Sequence, residues 1–248
     1  MTFPKTTHYL SAATFGVLLL ADAALPAWAT IESRQEEVFE GVARDDRGEI
    51  AYTENHRMIY ENGRPQRSET RYRDAKGQEI AVLNANFAGN PYVPNYAFED
   101  RRFGRQDGTF VDGAWVKIYG RAAENAPVQQ EMLRLEKGMV TGQGLHVYLH
   151  DHLDELAQGG AVQQVRFLVP LEGREFLFRI RPVEKHGDPD TVAFTIEADC
   201  WPLRLAAPTL EIRYDRVTRR LLSYRGVSRL LSADQDAQNV TIAYRYPG

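Results

Sequence analysis

The chain has 248 residues, with 30 Lys or Arg against 34 Asp or Glu and a formal net charge of −4. That near-balance gives no basic footprint for nucleic acid or for an anionic membrane surface. A single cysteine, Cys200, excludes an internal disulfide, so stability has to come from a buried core.

The chain opens "MTFPKTTHYLSAATFGVLLLADAALPAWAT". Lys5 sits in a short polar start, an apolar run extends from Tyr9 to Ala21, and "AWA" closes at Ala29. These are the three parts of a secretory signal peptide, and the apolar run is too short for a spanning helix of roughly 20 residues. The expectation is a cleaved signal over 1–29, then a single β-rich domain over 30–248 with no transmembrane segment. Such a protein is exported: periplasmic in a Gram-negative cell, otherwise secreted. No cysteine near the cleavage site points to a lipid anchor.

Beyond the signal, short alternating runs are separated by turn residues. "EEVFEGVAR" ends at Asp45–Gly48, "EIAYTENHRMIYE" at Asn62–Pro65, "QRSETRYR" at Asp74–Gly77 and "QEIAVLNANF" at "AGNP". Further turns are expected at Asp107-Gly108 and Asp112-Gly113. This spacing describes an antiparallel meander. The segment "NPYVPNYAF" (Asn90 to Phe98), with two prolines and three aromatics, reads as core packing at a sheet end, or as the cap or pocket mouth of a barrel.

One amphipathic helix is expected, from about Gln143 to Gln158 and stopped by Gly159-Gly160. Leu145, Leu149, Leu153 and Leu156 form its apolar stripe, with Tyr148 and His152 at the edge. The glycines of "GMVTGQG" before it read as a flexible turn. The helix start could in principle hold an anion.

The C-terminal half alternates more strictly. Phe176, Phe178 and Ile180 share one face; so do Val192, Phe194, Ile196 and Ala198, then Leu210, Ile212 and Tyr214, then Val240, Ile242, Tyr244 and Tyr246. Such period-two runs mean a sheet with one wet and one buried face. The fold class expected is therefore mainly β: a large curved antiparallel meander sheet or half-open barrel, with the helix covering its concave face. The outward Arg179, Arg181, Arg213, Arg225 and Arg245 alternate with Glu197, Asp199, Glu211 and Asp215. Cross-strand ion pairs explain this better than a basic docking surface.

Five histidines follow the signal: His56, His146, His150, His152 and His186. On a helix His146, His150 and Asp154 are spaced i, i+4, i+8, so they could supply three ligands to a transition metal. There is no H-E-x-x-H pattern and no second His or Cys cluster, so a solvated helix flank is the favoured reading, with His152 packed beside Tyr148. Cys200 reads as a small buried side chain rather than a nucleophile. The adjacent acid pairs, such as Glu36-Glu37 and Asp154-Glu155, read as solvated. No G-x-S-x-G elbow, phosphate loop or dinucleotide fingerprint occurs, so no cofactor is expected.

Two segments carry a resemblance. "GQGLHVYLHDHLDELAQGGAVQQVRFLVP" and the closing "LEIRYDRVTRRLLSYRGVSRLLSADQDAQNVTIAYRYP" together resemble an uncharacterised family of exported bacterial β-rich proteins. In that family the position of His146 is commonly acidic, which implies that a histidine metal site is not a shared feature. More loosely, the architecture is similar to that of the periplasmic lipoprotein carriers, whose half-barrels hold lipid chains. The resemblance implies no catalytic residue.

The leading expectation is an exported, non-enzymatic protein. Its curved sheet would hold an apolar or lipid-like ligand, or dock a cell-envelope partner. The inward residues expected to line such a pocket are Phe176, Phe178, Ile180, Phe194, Ile196, Ile212 and Tyr244. The alternatives are a metal-dependent hydrolase using His146, His150 and Asp154, and a structural or assembly module with no pocket.

Overall fold

A computed structural model describes residues 33–158, 163–183, 188–200 and 209–247. The expected signal segment, the Gly159-Gly160 stop and His186 lie outside these residues. The alternating N-terminal runs become eight strands: β1 (Arg34–Arg44), β2 (Ile50–Glu61), β3 (Arg64–Arg73), β4 (Glu79–Asn86), β5 (Asn95–Asp100), β6 (Arg105–Asp112), β7 (Trp115–Arg121) and β8 (Gln129–Arg134). Each pairs antiparallel with the one before it. Asn62 and Gly63, both with positive φ, make the tight turn between β2 and β3, as an Asn-Gly hairpin requires.

The C-terminal half supplies β9 (Met139–Val140), helices α1 (Gly142–Asp151) and α2 (Leu153–Ala157), and β10 (Gln163–Val169) with a 3-10 turn at Pro170–Glu172. It continues with β11 (Arg174–Pro182), β12 (Thr191–Ala198), β13 (Leu210–Asp215), β14 (Leu221–Val227) and β15 (Asn239–Arg245). All pair antiparallel except β9, which runs parallel to β10. The described strands form one fifteen-stranded sheet in the order β8-β7-β6-β5-β4-β3-β2-β1-β15-β14-β13-β12-β11-β10-β9.

This order forces curvature. Laid flat, fifteen strands at ~4.8 Å spacing would put the outermost two roughly 65–70 Å apart. Yet those two, β8 and β9, are joined only by residues 135–138, a link that reaches at most about 18 Å. The sheet must therefore roll until its edges approach. The 3-10 turn after β10 accordingly packs against β6 and β7, and the Arg102 and Arg105 side chains reach the backbone carbonyls of Leu231 and Arg229. The fold is the expected β-rich half-open barrel.

The expected single helix is divided at His152, whose φ of −104° and ψ of 15° leave the helical region. Its ring stacks on Tyr148 at 4.3 Å and its Nδ1 lies 2.9 Å from the Tyr148 carbonyl, holding the break in place. Thr141 caps α1 by accepting from the Gly144 N–H. All four stripe leucines are buried, in one cluster with Ile180, Phe194, Ile196, Ile212 and Tyr214 of β11–β13. A second tie comes from "NPYVPNYAF". Asn90 Oδ1 accepts from the Tyr92 and Val93 N–H groups, and the Tyr92 carbonyl accepts from Thr141 N. A Cβ on Gly144 would lie 1.6 Å from that carbonyl oxygen, so α1 can start here only with glycine.

Two sequence expectations need correction. Asp107-Gly108 is not a turn: it lies within β6, with Asp107 opposite Phe98, and the chain reverses at residues 101–104 instead. Cys200 is exposed, not buried. The outward charge alternation does form cross-strand pairs, with Arg179 bonded to Glu197 and to Asp199.

Candidate functional site

Rolling the sheet leaves its interior incompletely filled. A cavity of about 490 Å³ lies between β2, β3 and β6 on one side and β10–β14 with α1 on the other. Most of its wall is aromatic or aliphatic, including Phe39, Tyr72, Phe87, Leu145, Phe178 and Ile242. A helix packed flush on the sheet would leave no such space.

Polar groups enter the wall because a few inward-pointing strand positions carry them. On β2, Tyr52, Glu54, His56 and Met58 share the inner face, although Glu54 is only 6% exposed. Glu54 Oε2 accepts from His56 Nε2 at 2.8 Å and from the Tyr244 hydroxyl at 3.2 Å. Tyr244 stands on β15, two strands from β2. Gly41 of β1 lies between them, and a Cβ there would sit 2.9 Å from Tyr244 and 3.1 Å from the carboxylate. On its other side, His56 Nδ1 lies 3.0 Å from the Thr70 hydroxyl of β3. Phe39 stacks on the ring at 4.4 Å and fixes its plane. The result is a hydroxyl–imidazole–carboxylate chain across β2, β3 and β15.

A second cluster combines β6 with the β14–β15 connection. Asp107, 4% exposed, accepts from the Tyr96 hydroxyl at 2.7 Å and from Arg229 Nη1 at 2.9 Å. The Arg229 guanidinium also lies 4.8 Å from the Phe98 ring centre and 5.3 Å from that of Tyr96. Burial, the largest single effect, works against its charge, but the Asp107 carboxylate together with Tyr96 and Tyr72 outweighs it and raises the Arg229 pKa. Arg105 is placed differently. Its Nη1 donates to the Arg229 carbonyl, while its Nε is buried with no hydrogen-bond partner among the described residues. Burial, with Arg229 nearby, lowers its pKa despite the attraction of Asp107.

The third cluster belongs to α1. His146 Nδ1 lies 2.8 Å from the Tyr214 hydroxyl. Burial, then the nearby His150 and His56, push the His146 pKa down to about 4, and burial raises that of Tyr214. Both groups therefore stay neutral, with the Tyr214 O–H donating to the imidazole.

Of the residues expected to line a pocket, Phe178, Ile196, Ile212 and Tyr244 do face the cavity. Ile180 and Phe194 are buried in the cluster beneath the helix leucines. Phe176 lies off the cavity wall, under the Arg174 guanidinium at 4.6 Å. The expected solvated flank is split: His146 lines the cavity, whereas His150 faces Asp151 at 3.5 Å and Asp154 meets Arg219 at 2.5 Å. His146, His150 and Asp154 therefore have three separate partners. Among the described residues no group of three or more His, Cys, Asp or Glu side chains could hold a metal ion, and no helix is long and apolar enough to cross a membrane.

The chain is similar to a solved structure, a beta-barrel-like protein of the domain of unknown function DUF1849 from Brucella abortus. They share 10% sequence identity over 88% of this chain and 98% of that one, at a TM-score of 0.40. No protein-family model matches the chain, and no curated protein matches it.

Sequence reading missed Glu54, His56, Thr70, Arg105, Asp107 and Arg229. Their signal was parity: each strand residue among them occupies an inward position with at least one buried neighbour two residues away. Tyr52 and Met58 bracket Glu54 and His56 in this way, and Thr109 follows Asp107.

Proposed function

We propose that this is an exported binding protein whose barrel interior holds an apolar or lipid-like small molecule. The observation that carries this reading is the cavity of about 490 Å³, within the roughly 300–1,000 Å³ range of small-molecule sites and apolar over most of its wall. Export is supported by the Lys5, apolar-run and "AWA" pattern of residues 1–29, and mature protein starting at Thr30 would bear it out.

The test is extraction and mass spectrometry of the mature protein purified without detergent, together with uptake of the neutral dye N-phenyl-1-naphthylamine. Dye fluorescence is expected to rise on binding and to be suppressed in Ser68→Phe, which directs a ring into the cavity from β3. A protein that carries no lipid and takes up no dye would end this proposal.

A further inference from the structure

Among the described residues the cavity wall carries two guanidiniums, Arg105 and Arg229, and one carboxylate, Asp107, is bonded to either of them. Asp107 accepts from Arg229 and Tyr96, which accounts for its charge. Glu54, the other acid of the wall, is engaged by His56 and Tyr244. Asp100, near Arg105, is held by Arg102 through a bidentate pair. The Arg105 guanidinium is thus the cation of this wall with no salt-bridge partner among the described residues, and its buried Nε lacks an acceptor. A largely buried charge without a counter-charge is costly, and an unsatisfied buried donor in a folded protein calls for a partner.

We infer that Arg105 is the headgroup site of this cavity, and that the ligand is an amphiphile with a single carboxylate or phosphate on an apolar chain. The inference rests on the proposal that the cavity binds an apolar molecule, and adds the headgroup. The guanidinium fork presents donors in the geometry that a carboxylate or phosphate accepts. Arg105, Arg229 and Asp107 together leave one positive charge over, that of Arg105, which favours an anion over a neutral or cationic head. The hydrocarbon chain lies along the apolar side chains of Leu145, Phe178 and Ile212. Arg105 is partly buried, so its interaction with an anion is screened less than that of an exposed lysine.

Displacement of N-phenyl-1-naphthylamine from the mature protein by dodecanoate, dodecyl phosphate, dodecanol and dodecylammonium tests this. Both anions are expected to compete about tenfold or more tightly than dodecanol, as loss of a charged hydrogen bond implies. Dodecylammonium is expected to be weakest. Arg105→Gln should erase the preference, bringing both anions down to the level of dodecanol, and Arg105→Lys should keep most of it. Circular dichroism establishes that each variant is folded; if Gln fails to fold, the Lys variant and the wild-type ranking still decide. Equal competition by dodecanol and the anions overturns the headgroup assignment but leaves the apolar cavity standing. A preference that survives in folded Arg105→Gln also overturns it. Displacement by none of the four, with no dye bound, would instead remove the binding proposal itself.

Discussion

The Tyr214 hydroxyl sits 2.8 Å from His146 Nδ1, and the two rings lie within 11° of parallel at 5.6 Å. This contact suits a neutral imidazole, and the folded-state pKa of about 4 follows from burial first and the neighbouring His150 and His56 second. An unfolded imidazole titrates near 6.5. Between those values the unfolded chain holds the extra proton, so stability is complete above about pH 6.5 and falls as the pH drops toward 4. The loss reaches up to about 3 kcal/mol, and less to the extent that cavity water solvates the ring. Urea midpoints of wild type and His146→Gln between pH 7.5 and 4.5 measure it. The variant is expected to show a flatter profile, and identical slopes would refute the assignment.

Removing one member of the Arg229–Asp107 pair leaves a charge stranded in the wall. Arg229→Met is expected to lose roughly 3–5 kcal/mol, because Asp107 then retains only the Tyr96 hydroxyl. Asp107→Asn combined with Arg229→Met should recover most of that loss, since the amide still accepts from Tyr96. A double variant as unstable as Arg229→Met alone would show that the cost lies in lost packing on Phe98 and not in the buried charge.

Two glycines two positions apart in α1 should respond in opposite ways. At Gly144 a methyl group meets the Tyr92 carbonyl at 1.6 Å. Gly144→Ala is therefore expected to cost about 1–3 kcal/mol or more and to separate α1 from the Asn90–Val93 turn. At Gly142 the nearest atom to a new Cβ is an Arg229 nitrogen at 3.5 Å. There alanine should be neutral, or stabilising by about 0.5 kcal/mol. Thermal melts of both variants distinguish the two sites.

The interior contains one densely packed region and one hollow one. Leu149, fully buried under the sheet, should cost about 2–5 kcal/mol on truncation to alanine. Ser68→Phe, which adds bulk on the cavity side, should change stability by less than about 1.5 kcal/mol while lowering dye uptake. An equal loss of stability in both variants would mean that the space near Ser68 is not available.

The strands and the leucine face of the helix were legible because each is a local period. Ile196 and Ile212 follow from counting by two, and Leu149 and Leu153 from counting along a helix. The site was not legible in this way, because its partners meet only through the roll of the sheet. Asp107 and Arg229 are 122 positions apart, and Tyr244 and Glu54 are 190 apart. Asp107-Gly108 also imitates a hairpin turn. Only its position opposite Phe98 reveals a strand, and that register is set by a neighbour the local sequence does not name. The three-residue array of His146, His150 and Asp154 failed for a related reason. Helical spacing aligns residues along a face, but the curvature of the surrounding sheet decides which of them it encloses.

The pairing of β1 with β15 joins two meanders, each built from strands adjacent in sequence. Each can assemble locally, whereas the Glu40–Arg245 register must wait for chain segments 205 positions apart to meet. Because β2 and β3 supply one wall of the cavity and β12 to β14 the other, no binding volume exists until that junction closes. A molecule held inside would then act as a clasp, lowering the free energy of the closed state by an amount that grows with its concentration. On the proposed reading, arrival of a bound molecule and completion of the barrel would be two readings of the same equilibrium.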